Sequence, residues 1–354
     1  MNAPLITSFC TTGGCAGKIG PDILETMLSP MRQFPSVSQL LVGLMDQDDA
    51  AVYAHNGTEG LIFSADFIPP LLDDPTAYGE IAAAHAINDI YAMGGTPLMC
   101  VNLLAIPQPL LGSDTVTRIL GGVAQKIVEA GAFLVGGHSI RSRDLLCGLA
   151  VIGLVHVEKM WRKNQSRVGD AIVLTKPLGS GVVLSAHGAG MLANDAEMGP
   201  SLACIRRLNR AATEALCLFH VHAATDVSGF GLVHHAADIA RHSAVSLIFD
   251  WERIPILEGA LNHMEQGIRS SLTEANRRHL HHEVRYPPSC ASTVQDMLNE
   301  PQTNGGLLVT LPWEEAEEAV RRLHDSGERD ACVVGRVAAF QDDFKIGFSP
   351  LINP

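Results

Sequence analysis

The sequence predicts an α/β (α+β) protein of two domains, and three observations carry that prediction. Its 354 residues exceed the size to which one hydrophobic core usually grows. Its first half sets several β-type runs in succession with two sizeable helical runs. A polar, basic break, EKMWRKNQSRVG at 158–169, separates that half from a second α/β stretch. The expected division is a flexible glycine-rich arm and lead-in at 1–40, a first domain at 41–157, a linker at 158–169 and a second domain at 170–350.

Within the first domain, LLVGLMDQDDAAVYAHN reads as a strand, a turn and a second strand beginning at Ala50. GLIFSADFIPP reads as a third strand that stops at Asp66 and the Pro69-Pro70 pair. Residues 78–93, YGEIAAAHAINDIYAM, have helical spacing and end at Gly94-Gly95, a helix stop. TPLMCVNLLAIP is a buried strand, 113–130 a second helix, and AFLVGG and LLCGLAVIGLVHV two more strands. Beyond the break, helical patterns fall near 201–219, 231–243 and 314–326, with strands near AVSLIFD, GGLLVTL and ACVVGRVAAF.

Charge narrows the partners. Lysine plus arginine total 25 against 38 aspartate plus glutamate, a net charge of −13. Such a surface repels nucleic acid and anionic membrane, so the expected partners are small molecules, and an anionic one must be met by a local pocket or by metal ions. The longest near-apolar run, 145–157, is too short to span a bilayer comfortably, and no secretory signal opens the sequence. Eight cysteines without a C-x-x-C pair fit a reduced, cytoplasmic setting.

The arm carries TTGGCAGKIGP, with Cys15 and Lys18 three residues apart. It is no Walker loop, because the first glycine position holds Thr12 and the hydroxyl position Ile19. Asp48, Asp49, Asp66, Asp89 and Asp226 stand at the ends of apolar elements, Asp226 where a helix yields to a glycine-rich loop. Asp89 lies one helical turn after His85, on the same face. Each suits a turn or cap alone; together they suit Mg²⁺, which joins carboxylates to nucleotide phosphates. Glycine clusters at GGHS, SGFG and TNGG allow backbone amides near phosphate oxygens, although none is a dinucleotide fingerprint. The histidines, including His279, His281 and His282 in NRRHLHHEVR, read mostly as structural or surface residues.

In order along the chain, GGCAGK, DDAAVY, FSADF, INDIYAMGG, VGGHSI, GLAVIG, TKPLGSGV, TDVSGFG and PQTNGGLL resemble the selenide, water dikinase (selenophosphate synthetase) family, from about residue 13 to about residue 340. The later motifs are shared with the wider aminoimidazole ribonucleotide synthetase-like superfamily, and the Cys-x-x-Lys arm singles out the selenium enzymes. The resemblance implies a two-domain fold whose first domain forms a β-barrel across a homodimer. It implies that ATP, selenide and water give selenophosphate, AMP and orthophosphate with Mg²⁺. It assigns Cys15 and Lys18 as the catalytic pair and Asp49, Asp89 and Asp226 as Mg²⁺ ligands. Lys18, Asp48, Asp66, Asp89, Gly137, His138 and Ser139 become ATP contacts. Selenide and ATP are the implied partners, with a transient selenium-delivery protein beside them.

The chemistry agrees. An anionic nucleophile approaching a polyanionic nucleotide needs counter-charge, which Mg²⁺ and a mobile lysine supply. A thiol beside an ammonium is a better thiolate than an isolated one, fit either to carry selenium or to guide selenide. Glycines let such an arm fold over the nucleotide and exclude water. Two positions depart from the pattern: Gly17 stands where many relatives carry a second cysteine, and Asn304 where TSGG is common. Asn304 tolerates turn geometry, so little change follows from it. The rival readings are another ATP-dependent kinase or synthetase of the superfamily and a noncatalytic nucleotide-binding regulator.

Overall fold

The structure is a computed structural model of the 354-residue chain and describes residues 4–33, 37–192 and 195–349. The described residues form two units. One takes those among 1–18, 32–160 and 205–208, the other those among 19–31, 161–204 and 209–354. The lead-in thus divides: its helix α1 (Pro21–Leu28), opened by a proline in the first helical turn, counts with the second unit.

The first unit is built from β1 (Leu40–Val42), β2 (Ala51–Ala54), β3 (Glu59–Ile68), α2 (Pro75–Ala92), β4 (Thr96–Pro107), α3 (Asp114–Glu129), β5 (Phe133–Ser142) and β6 (Leu146–His156). The strands pair in the order β1-β2-β3-β6-β4-β5, antiparallel except for β4 with β5. Strict alternation sets the face of β3: Gly60, Ile62, Ser64 and Ile68 point inward, while Phe63 and Phe67 stay exposed. Asp66 falls on the inward parity. It does not end the strand as the sequence suggested, because Phe67 and Ile68 continue the alternation until Pro69-Pro70 removes the donors.

Helix α2 covers that inward face, and all of it but Thr76 is buried. Its alanine-rich sequence explains how it sits so deep, and two glycines bring α3 equally close. A Cβ on Gly79 would lie 2.0 Å from the Ile119 carbonyl oxygen, and one on Gly122 2.1 Å from that of Thr76. Asp74 caps the helix, accepting from the amides of Thr76 at 2.9 Å and Ala77 at 3.4 Å. Gly94 ends it at a φ of 70°, and the Gly95 amide donates back to Ile90 at 2.9 Å. At the far edge, β5 leaves Phe133, Leu134, Val135 and Ile140 exposed.

The second unit continues with β7 (Ala171–Leu174), α4 (Ser180–Gly188), α5 (Asp195–Arg206), α6 (Arg210–Leu216), β8 (Ala223–Asp226), α7 (Gly231–Ser243), β9 (Val245–Phe249), α8 (Ala260–Glu265), α9 (Thr273–His279), β10 (Val284–Arg285), α10 (Ser292–Asn299), β11 (Leu307–Leu311), α11 (Trp313–Asp325), β12 (Cys332–Ala339) and β13 (Ile346–Phe348). Its sheet runs β10-β13-β9-β12-β7-β11-β8. Residues 223–226 are a strand and not the end of a helix, contrary to the alanine-rich reading: they pair antiparallel with β11 at the end of the sheet, and all four are buried. No helix among the described residues is long and apolar enough to cross a membrane.

Candidate active site

Residues 10–18 of the arm pack on the first unit. The Gly14 amide donates to the Pro69 carbonyl at 3.1 Å, and the Cys10 thiol to that of Pro70 at 3.3 Å. Residues Gly14–Gly17 then make a 3-10 turn, closed by the Lys18 amide donating to Cys15 at 3.2 Å. That turn packs on β3 and carries Cys15 to 0% exposure. A Cβ on Gly17 would meet Pro69 Cγ at 3.1 Å and Thr12 Oγ1 at 3.3 Å, so a side chain there needs its neighbours to give. A pocket of about 270 Å³ opens beside the turn, lined by Lys18, Cys10, Thr12, Phe67 and Asp144 among others.

Beneath the turn lie side chains from two rigid elements. Asp66 comes from the inward face of β3, and His85 and Asp89 from one face of α2. Ser64 donates a short hydrogen bond to Asp89 Oδ2, and Asp66 shares a hydrogen bond with Asp89. Burial pushes the Asp66 carboxyl up, but Lys18, then His85 and the bond from Asp89, outweigh it and hold the group below its ordinary value. His85 is 1% exposed, and the Cys15 sulfur stands 3.9 Å from its Nδ1 and 3.7 Å from its Nε2. Burial alone opposes charge on the ring; the facing Cys15, against the push of Lys18 and with help from Asp66, raises it to about 9.

The structure thus brings Cys15, Lys18, Asp66 and Asp89 together in one unit. Asp48 and Asp49 share the turn between β1 and β2, where the Asp49 amide donates to Asp48 Oδ1 at 3.1 Å. Gly137, His138 and Ser139 lie exposed on edge strand β5, opposite Asn102, Leu103 and Leu104 of β4. Asp226 closes β8 in the second unit, buried, with Val227 tied to Gly306 at 2.9 Å. There Asn304 takes a φ of 51°, the conformation asparagine tolerates, and its carbonyl accepts from the buried Lys176 ammonium at 3.1 Å. Among the described residues no three histidine, cysteine or acidic side chains close into a metal-holding group.

The sequence reading missed His85 as a member of the site. Its one signal is a titratable ring amid alanine and isoleucine in a helix buried all round, a place that demands a partner. The histidine-rich stretch is not uniformly solvated either: His279 hydrogen-bonds Asp22 and stacks on the buried His234 with centroids 5.3 Å apart.

Comparison with known proteins follows the same lines. The AIR synthase related protein N-terminal domain family matches residues 47–155, and the corresponding C-terminal domain family residues 167–345. A selenide, water dikinase of Desulfitobacterium hafniense (strain DSM 10664 / DCB-2) is 39% identical over 335 residues, covering 95% of this chain and 97% of the relative. One of Pseudomonas straminea is 38% identical over 340 residues, covering 95% and 94%. Among solved structures, thiamine-monophosphate kinase from Stenotrophomonas maltophilia K279a superposes with a TM-score of 0.65 at 21% identity, over 92% of this chain and 95% of its own. Hydrogenase maturation protein HypE in complex with ATP gives 0.63 at 19%, over 95% and 90%. These two carry the fold alone. With sequence relatives this similar over nearly its whole length, the chain belongs to the selenide, water dikinase family, on the two-domain AIR synthase related fold.

Proposed function

We propose that the protein uses ATP to make selenophosphate from selenide and water, releasing AMP and orthophosphate. The observation that carries this reading is the arm itself: Cys15 buried on His85, with Lys18 close enough to be the leading counter-charge of Asp66. A thiamine-phosphate or ribonucleotide enzyme has no use for a thiol in that place, and a noncatalytic binder has no use for a lysine set beside carboxylates.

In this reading Lys18 meets the phosphate end of ATP as a point charge and lowers the cost of bringing hydroselenide, an anion, to phosphorus. Cys15 receives or guides the selenium from the closed side of the arm, and the turn at Gly14–Gly17 keeps water from the reacting phosphate. Asp48, Asp66 and the Gly137-His138-Ser139 run contact the nucleotide. In the first unit Asp49 and Asp89 offer carboxylate oxygens of the class the implied Mg²⁺ would take, and Ser64 hydrogen-bonds Asp89; the resemblance adds Asp226 of the second unit as a ligand. When bound, Mg²⁺ neutralises phosphate charge that a single lysine leaves uncovered.

A second copy of the chain completes the first unit in this proposal. Among the described residues edge strand β5 pairs with β4 alone and exposes Phe133, Leu134, Val135 and Ile140, a combination that monomers avoid. A cytoplasmic setting fits eight cysteines that are all free thiols. The test is incubation with ATP, Mg²⁺ and anaerobic selenide, with nucleotide products separated by chromatography. AMP formed only with selenide supports the proposal; ADP as end product, or AMP at the same rate without selenide, overturns it.

A further inference from the structure

We propose that His85 is a positioning residue for Cys15, lodged under the arm to keep the sulfur as a thiolate and to pin the Gly14–Gly17 turn in its closed place. This rests on the selenophosphate reading for its purpose but on separate geometry for its content. The sulfur lies within 4 Å of both ring nitrogens, 3.9 Å from Nδ1 and 3.7 Å from Nε2, so contact survives either tautomer and small rotations of the ring. Both side chains are shut away from water, at 0% and 1% exposure. A thiolate buried so deeply needs a cation or a donor beside it. The ring supplies one from α2, an element separate from the arm.

The other charges in reach sharpen the assignment. Lys18, from the arm, faces Asp66 from β3, and Asp66 in turn shares a hydrogen bond with Asp89 from α2. Around His85, Cys15 and Asp66 favour the charged ring and Lys18 opposes it. The proton leaves Sγ for a ring nitrogen; no other bond forms or breaks, and the pair stays neutral overall. The exchange also bears on Gly17. Position 17 is glycine, and a Cβ there would require Pro69 and Thr12 to give, so the turn itself offers Cys15 no further side-chain partner at that position. The partner is the histidine one layer below, 3.7 Å from the sulfur at Nε2.

The experiment is a pH titration of thiolate absorbance near 240 nm, read as wild type minus Cys15→Ser, without ATP and with divalent ions chelated. The seven other cysteines cancel in the difference. The same difference is then taken in a His85→Gln background and, as a second variant, His85→Asn, each checked for folding by circular dichroism. The expected result is a thiolate signal at pH 7 in the wild type whose midpoint rises by about 1–3 pH units in the variants. Identical midpoints in the wild type and a folded variant overturn the proposal. Should both variants fail to fold, absence of any thiolate signal at pH 7 in the wild-type difference overturns it, and its presence supports it. Failure of selenophosphate formation by the wild type is a different result, and sinks the functional reading while leaving the Cys15–His85 pair standing.

Discussion

Replacing Lys18 by methionine removes one charge and almost no volume. In the structure that charge is the leading influence holding half-buried Asp66 ionised against the pull of desolvation, ahead of His85 and the hydrogen bond from Asp89. In turnover it is assigned to the phosphate that selenide attacks. Loss of one preorganised donor at a site of developing charge costs ~10²–10³ in kcat, or about 3–4 kcal/mol. We therefore expect Lys18→Met to lower kcat for AMP formation by about that factor, with the KM for ATP changed by less than about tenfold, since the other nucleotide contacts proposed above do not depend on Lys18. Lysine's mobility matters too, so Lys18→Arg, which keeps the charge on a planar head, recovers only part of the loss. The double variant Lys18→Met/Asp66→Asn should lose less than the two single losses combined, because the two groups act on one another. The assay is initial-rate chromatography of AMP at saturating selenide. A Lys18→Met enzyme within about threefold of wild type would refute the assignment, because Lys18 is the one lysine or arginine in residues 1–31.

Other expectations follow from the same structure. Glu300 is buried, and burial pushes its carboxyl up to about 7 despite hydrogen bonds from Thr273 and Ser270. With a folded value above the unfolded one, its contribution to stability is present at low pH and is lost as pH rises through about 7. Urea unfolding at pH 5.5 and 8.5 should then show Glu300→Gln losing less stability than wild type over that interval, by ~2–3 kcal/mol, and equal losses would contradict the burial argument. Gly79→Ala sets a methyl 2.0 Å from the Ile119 carbonyl, so the thermal midpoint should drop by several degrees with helix content retained; no change would mean the helices separate at little cost. Asp74→Ala removes the cap of α2 and should cost about 1 kcal/mol in the same urea assay. Val135→Lys on edge strand β5 should convert a dimer to a monomer by analytical ultracentrifugation, and a monomeric wild type would remove the proposed second copy.

Much of this was legible in the sequence, for identifiable reasons. Helix α2 could be read because its glycine stop and its helical period agree, and β4 and β6 because long apolar runs between turns have few other solutions. Asp66 was placed at a strand end because a charge after an apolar run looks like a terminus; the tighter constraint was the proline pair that follows. The strand at 223–226 was hidden by its alanines, which favour helix locally while pairing with β11 decides otherwise. Cys15 and His85 are 70 positions apart, and no local pattern announces that a glycine-rich arm will bury its thiol on a helix histidine. That contact belongs to tertiary structure alone. It also explains why the arm could be called flexible from composition while in the folded chain Cys15 is among its least exposed residues.

One experiment bears most directly on the account: ³¹P NMR of a reaction supplied with ATP, Mg²⁺ and ⁷⁷Se-enriched selenide under anaerobic conditions. The account predicts three products growing in together, AMP, orthophosphate and a phosphorus signal split by coupling to ⁷⁷Se, with Cys15→Ala and Lys18→Met abolishing the split signal. A spectrum that accumulates ADP, or that shows AMP and phosphate without any selenium-coupled phosphorus, would contradict it.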